Sequence, residues 1–244
     1  YVIGYARDIL LNNYDFVLLK YDRDGIRLWT ARYDNGQYDV PVGIAVDSLG
    51  NIYVTGQSLN EQNNLDYATV KYDSNGNQIW VARYNDENGT QYVPAEDMPT
   101  AIALDSSGNV YVTGGSTMGV ISGYTTVKYD SDGNQLWIAR YHHDSGFVVR
   151  ERANALVVDT LGNVYVSGWG WNNTNFDYTT IKYNTNGGQL WISRYDNGSN
   201  DTVTAVALDN SGNVYATGIS ENGEDQDYAT VKYDTNGNQL WVVR

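Results

Sequence analysis

Four acidic residues recur at one fixed place in the chain: Asp39, Asp97, Glu151 and Asp201 each precede a turn aspartate (Asp47, Asp105, Asp159, Asp209) by eight residues. Carboxylates gathered at one end of a structure repel one another and call for a counter-charge. That charge is either a hard cation with oxygen ligands, Ca²⁺ foremost, or the Lys and Arg side chains that recur in the same chain. Both answers stand at the level of sequence. Other chemistry-bearing residues are few. His142 and His143 are the only histidines, adjacent to one another and next to Asp144; an exposed dipeptide is the simpler reading, a metal pair the sharper one. Trp169 and Trp171 interrupt a polar stretch, and Tyr38 and Tyr92 lie in segments of similar character. These aromatics suit contact with a glycan or a protein partner, or else packing among themselves. Asn88, Asn172, Asn197 and Asn200 each begin an Asn-x-Ser/Thr triplet, the acceptor pattern for glycosylation.

The Asp-x-Asp-Gly segments Asp22 to Gly25 and Asp130 to Gly133 lack the spacing of a Ca²⁺-binding loop, since Tyr33 and Tyr141 stand where the closing Glu belongs. They read as turns. No nucleophile elbow, phosphate loop, dinucleotide fingerprint or His-Glu-x-x-His is present. A glycosidase would need two carboxylates at a defined separation, and the regular recurrence of the four acids argues for symmetry instead. The sequence therefore predicts no enzymatic activity and no cofactor beyond Ca²⁺.

The elements that must position these residues are copies of one unit. Lys20, Lys71, Lys128, Lys182 and Lys232 are each followed nine residues later by Trp29, Trp80, Trp137, Trp191 and Trp241, and three residues after each Trp comes Arg32, Arg83, Arg140, Arg194 or Arg244. Successive units are 51, 57, 54 and 50 residues apart, a fixed frame with loops of varying length. Each unit holds short runs rich in Val, Ile, Thr, Tyr and Trp, bounded by Gly, Asn and Asp, and no helical period. The first run of a unit (Val42 to Asp47, Thr100 to Asp105, Asn154 to Asp159, Thr204 to Asp209) alternates large residues with mostly Gly or Ala and carries no charge inside. Such a strand fits the crowded centre of a radial array. The run bearing Trp and Arg fits its rim.

Tight Asp-x-x-Gly reversals join first run to second and third to fourth, giving an antiparallel four-stranded meander. Repeated meanders of about fifty residues predict an all-β, five-bladed β-propeller. The units span approximately 1–41, 42–99, 100–153, 154–203 and 204–244, forming a single domain over 1–244. The first unit opens on its second run, so one inner strand is missing; a segment of a larger propeller is the alternative. The chain begins in mid-pattern at Tyr1, which suggests a piece of a longer protein.

Ala101 to Gly114 (Ala-Ile-Ala-Leu-Asp-Ser-Ser-Gly-Asn-Val-Tyr-Val-Thr-Gly) and Asp66 to Asp73 (Asp-Tyr-Ala-Thr-Val-Lys-Tyr-Asp) resemble the bacterial and archaeal β-propeller repeat called SBBP, and more distantly the NHL and YVTN repeats. The resemblance implies a propeller of secreted or cell-surface proteins and brings no catalytic residue with it. A net charge of -14 repels phosphate backbones and anionic lipid, so nucleic acid is not an expected partner. No run of eighteen apolar residues spans a membrane. With no cysteine, no disulfide or Cys-based zinc site exists. Between units the variation falls in two sets of connections on one face, the usual construction of a binding surface. The sequence thus predicts an extracellular, non-enzymatic structural or interaction module that binds a protein partner or copies of itself. A carbohydrate-binding lectin is the alternative.

Overall fold

A computed structural model describes residues 1–8, 13–86, 96–118, 121–143, 151–223 and 225–244. The described residues form nineteen strands in five antiparallel sheets, each a meander in chain order. The first sheet has three strands, β1 (Val2–Asp8), β2 (Asn13–Tyr21) and β3 (Arg27–Tyr33). The second has four, β4 (Asp39–Val46), β5 (Ile52–Leu59), β6 (Leu65–Tyr72) and β7 (Gln78–Tyr84). The third comprises β8 (Asp97–Leu104), β9 (Val110–Met118), β10 (Ile121–Tyr129) and β11 (Gln135–Tyr141). The fourth is β12 (Arg152–Val158), β13 (Val164–Trp171), β14 (Phe176–Tyr183) and β15 (Gln189–Tyr195). The fifth is β16 (Asp201–Leu208), β17 (Val214–Glu221), β18 (Gln226–Tyr233) and β19 (Gln239–Val243).

The turns form for a local reason. In the third unit Asp105 Oδ1 accepts the amides of Ser107 and Asn109, both at 2.9 Å, while Oδ2 takes the Asn109 side chain at 2.7 Å and the Tyr111 hydroxyl at 2.9 Å. Gly108 completes the reversal at φ +78°, a conformation that costs a glycine little. Asp47, Asp159 and Asp209 repeat the arrangement with Tyr53, Tyr165 and Tyr215.

Two irregularities recur as faithfully. Register shifts in the leading strand at Pro41/Gly43, Pro99/Ala101, Ala153/Ala155 and Val203/Ala205 mark a β-bulge in each full sheet. The second shift, between the Lys and Tyr of the third run, leaves Leu28, Ile79, Leu136, Leu190 and Leu240 unpaired and half-exposed, each just ahead of its Trp.

Contacts join each sheet to the next. The leading strand of every following sheet nests on its predecessor: β4 on β1 and β2, β8 on β4 to β6, β12 on β8 to β10, β16 on β12 to β14. Among the described residues the last strands of the sheets make no comparable mutual contacts, so the sheets converge at their leading strands and spread at their final ones. The arrangement is propeller-like, with the charge-free runs at the convergence. No contact of like extent joins the fifth sheet to the first among the described residues.

The apolar core lies between sheets. Tyr53, Tyr67 and Tyr84 of the second sheet pack against Val110, Val112, Val127 and Tyr129 of the third, and the same pattern of tyrosines on Val, Ile and Ala recurs at the neighbouring seams. Alternation along Val110-Tyr111-Val112 sends valines to one seam and tyrosine to the other, which is why the second run reads as continuously apolar. The leading strands are only partly buried.

Candidate functional site

Lys, Trp and Arg, the markers of the repeat, tie sheets together. Lys71 Nζ donates to the carbonyl of Ser131 in the next sheet at 2.8 Å, and Trp80 Nε1 donates to the same oxygen at 3.0 Å. The indole lies over Gly133, where a Cβ would come within 2.8 Å of it. Lys20 with Trp29, Lys128 with Trp137 and Lys182 with Trp191 do the same for Ser74, Thr185 and Thr235. Arginine reaches backward: Arg83 to the Tyr33 hydroxyl, Arg140 to that of Tyr84, Arg194 to that of Tyr141. Arg83 also pairs with Asp66 at 2.9 Å, Arg32 with Asp15 at 3.2 Å and Arg140 with Asp86 at 3.1 Å.

Asp39, Asp97 and Asp201 open the leading strands, and Glu151 stands just ahead of β12; all four are buried. Each carboxylate closes its own loop by accepting a backbone amide: Asn35 to Asp39 at 2.8 Å, Asp86 to Asp97 at 2.7 Å, Asn197 to Asp201 at 2.9 Å, and His143 with Trp171 to Glu151, both at 2.9 Å. Burial raises the pKa of every one, that of Asp97 to about 6. Ser58, Ser116 and Ser220 stand opposite the three aspartates in register and ease this penalty, yet Oδ1 of each aspartate still closes no hydrogen bond. The structure thus holds the four acids as local loop closures, one per unit. Of the four, only Asp201 belongs to a close acidic group among the described residues.

That group is Asp177, Asp196 and Asp201, which offer carboxylate oxygens within 4.8 Å of one another. They come from three segments: the start of β14, the loop after β15 and the start of β16. Asp177 and Asp201 are buried and Asp196 is exposed. Asn172 Nδ2 bridges Asp177 Oδ1 at 3.0 Å and Asp196 Oδ2 at 3.2 Å, and the amide of Gly198 donates to Asp196 Oδ1 at 2.6 Å. Burial, then the charge of Asp196, raises the pKa of Asp177 to about 6. Asp177 occupies the repeat position of Asp15 and Asp66, each ion-paired to the arginine of its own unit. Arg194 has turned instead to the Trp171 carbonyl, at 3.1 Å, and to Tyr141. The three carboxylates face one another, with the charge of Arg194 still acting on Asp177. Sequence reading had reached Asp201 and missed the other two, because Asp177 looks like any copy of its position. The signal beside it was Trp169 to Asn175, where the fourth unit departs from the rest.

Trp169 and Trp171 are half-buried, both edge-on to Phe176, with centroids 4.8 and 5.0 Å away. Their rings are engaged in packing at the tip of the β13–β14 hairpin. Tyr38 packs on Tyr14, with centroids 5.3 Å apart. Tyr92, Asn88 and Asp144 lie outside the described residues. The amide nitrogens of Asn172, Asn197 and Asn200 are all hydrogen-bond donors, to Asp177 and Asp196, to the Glu221 carbonyl and to Glu221 Oε2 respectively. A glycan on any of them would displace those bonds.

The family of the SBBP beta-propeller repeat matches residues 28–65, which bears out the resemblance read from the repeat. Among curated proteins no sequence matches. A protein of unknown function from Bacteroides caccae is 12% identical over 99% of this chain and 72% of its own, with a TM-score of 0.54. The chain is also similar to XC5397 of Xanthomonas campestris, a gluconolactonase (15% identity, 88% of this chain, 68% of that chain, TM-score 0.46). A luciferin-regenerating enzyme shows 14% identity over 100% of this chain and 76% of its own, with a TM-score of 0.47. The expectation of a non-enzymatic surface module, with a lectin as its alternative, is corrected accordingly: an absence of sequence motifs does not exclude catalysis on such a scaffold.

Proposed function

We propose that the loop end of the fourth sheet is a site for a hard divalent cation, Ca²⁺ by preference, and through it for an oxygen-bearing ligand. The observation that carries this reading is the approach of Asp177, Asp196 and Asp201 within 4.8 Å in the unit whose arginine has turned away. Three carboxylates suit Ca²⁺, which takes oxygen ligands in flexible geometry, and the exposed Asp196 leaves one side open to a ligand or water. A cation there would act as a Lewis acid toward a carbonyl or phosphoryl oxygen. Weak Ca²⁺ sites suit the millimolar Ca²⁺ outside cells, in keeping with the extracellular setting expected from the sequence.

The scaffold on this reading is a propeller with five blades present, the first lacking its inner strand. The nesting of leading strands supports it.

Melting the chelator-treated protein with and without Ca²⁺ tests the site. Ca²⁺ at about 1–10 mM should raise the melting temperature, and Asp196→Asn, at an exposed position, should abolish the rise without altering the metal-free value. Because protons compete for Asp177, affinity should fall as pH drops below about 6. An identical melting curve with and without Ca²⁺ would sink the reading.

A further inference from the structure

The arginine that ends the fourth run of the repeat has two places. Arg32 and Arg83 lie on the acid seventeen residues before them, Asp15 at 3.2 Å and Asp66 at 2.9 Å. Arg194 stands at the same separation from Asp177 but donates to the Trp171 carbonyl at 3.1 Å and to the Tyr141 hydroxyl of the third sheet. Arg244 likewise donates to Asn197 Oδ1 at 2.6 Å and to Ser220 Oγ at 3.1 Å rather than to Asp227. Reach does not separate the two places. While Arg83 holds Asp66 it also bonds the Tyr33 hydroxyl, the counterpart of Tyr141, at 3.0 Å, and the Leu59 carbonyl, the counterpart of that of Trp171, at 3.4 Å. A change of rotamer in one side chain therefore carries the guanidinium from one place to the other.

We propose that Arg194 sets the affinity of the Asp177, Asp196 and Asp201 site by competing for it: lying on Asp177 it supplies the positive charge itself, and held at Tyr141 it opens that place to a cation. The proposal rests on the cation reading given above. The charges around Asp177 support it. Asp196 and Asp201 face Asp177 with like charge, and Arg194 acts on it with the opposite one. Arg194 also acts on Glu151, and Arg244 acts on Asp201. A guanidinium and a divalent cation cannot share one carboxylate at contact distance without repelling each other. Tyr141 belongs to β11, so the arginine that yields the site is also a tie between the third and fourth sheets. By linkage, whatever strengthens that tie strengthens cation binding, and the cation strengthens the tie by the same factor.

Calorimetric titration of the chelator-treated chain with Ca²⁺ tests this. Arg194→Gln removes the competitor and should tighten binding about tenfold. Tyr141→Phe keeps the ring that packs on Tyr124, with centroids 5.6 Å apart, and removes the hydroxyl. It should weaken binding about three- to tenfold in the parent and leave it unchanged in the Arg194→Gln background, a coupling that a merely structural tyrosine would not show. Unchanged or weaker binding in Arg194→Gln overturns the proposal, as does an equal effect of Tyr141→Phe in both backgrounds. Should the parent take up no Ca²⁺, the cation reading falls by itself, and the swing of the arginine is read from the Asp177 carboxyl by NMR. That carboxyl should titrate near 6 in the parent and about one unit lower in Tyr141→Phe, where the arginine returns to it; the same value in both overturns the proposal.

Discussion

The aspartates of this chain fall into two sets with opposite responses to pH. At the turns, the Asn77 side chain and backbone amides hold Asp73 below the usual carboxylate range, as Asn134 does for Asp130 and Asn238 for Asp234. Groups with a depressed folded-state pKa stabilise the fold above the unfolded value near 3.8, and that contribution fades as pH falls through the depressed value. The loop-closing acids behave inversely. Burial raises Asp97 to about 6 from 3.8, so its contribution is complete below pH 3.8 and is lost as pH rises through about 6. Asp97→Asn keeps an acceptor for the Asp86 amide and removes the charge. It should match the parent in stability at pH 3.5 and exceed it at pH 7.5, by on the order of 2–3 kcal/mol, measured by denaturant titration at both values. Asp105→Ala removes the acceptor of four hydrogen bonds and should cost about 2 kcal/mol in the same assay.

Within an element, glycine positions decide what a meander can do. Gly114 in β9 would place a Cβ 2.1 Å from the Met98 carbonyl, so the leading bulge and the glycine opposite it exist together. Gly133 combines φ +87° with an indole 2.8 Å from its would-be Cβ. Gly133→Ala should therefore destabilise by about 2 kcal/mol or more. Gly25→Ala, with the same kind of turn at φ +78° and nothing above it, should cost only the backbone strain, about 1 kcal/mol. The difference between the two, read from thermal unfolding, measures what the stacked tryptophan adds. Repetition of Gly, Trp and Lys is plain in the sequence. Arginine pairs with nearby Asp and Tyr. Lysine stands over the Tyr53, Tyr111 or Tyr165 ring of its own sheet and also donates to a carbonyl on the neighbouring sheet, and a partner reached across a seam leaves no trace in local spacing.

Across the whole molecule, stability should be graded from the interior seams to the uncovered ends. Tyr178→Ala, at 0% exposure, should cost about 3 kcal/mol or more, while Tyr228→Ala, at 84%, should stay within about 0.5 kcal/mol of the parent in denaturant unfolding. Amide exchange should be fastest in β19, all of whose residues are exposed. The sequence by itself determined the strands, the turns, the order of each meander and the convergence of the sheets at their charge-free runs. Those follow from side-chain alternation and from Asp-Gly chemistry within a few residues. Tertiary structure alone decided that the four repeated acids serve their own loops, that Asp177 and Asp196 join Asp201, and that among the described residues no contact of the extent seen at the other seams joins the fifth sheet to the first. Each of these depends on where an arginine or a whole sheet turns in space, and identical copies of a motif carry no record of which copy has lost its partner.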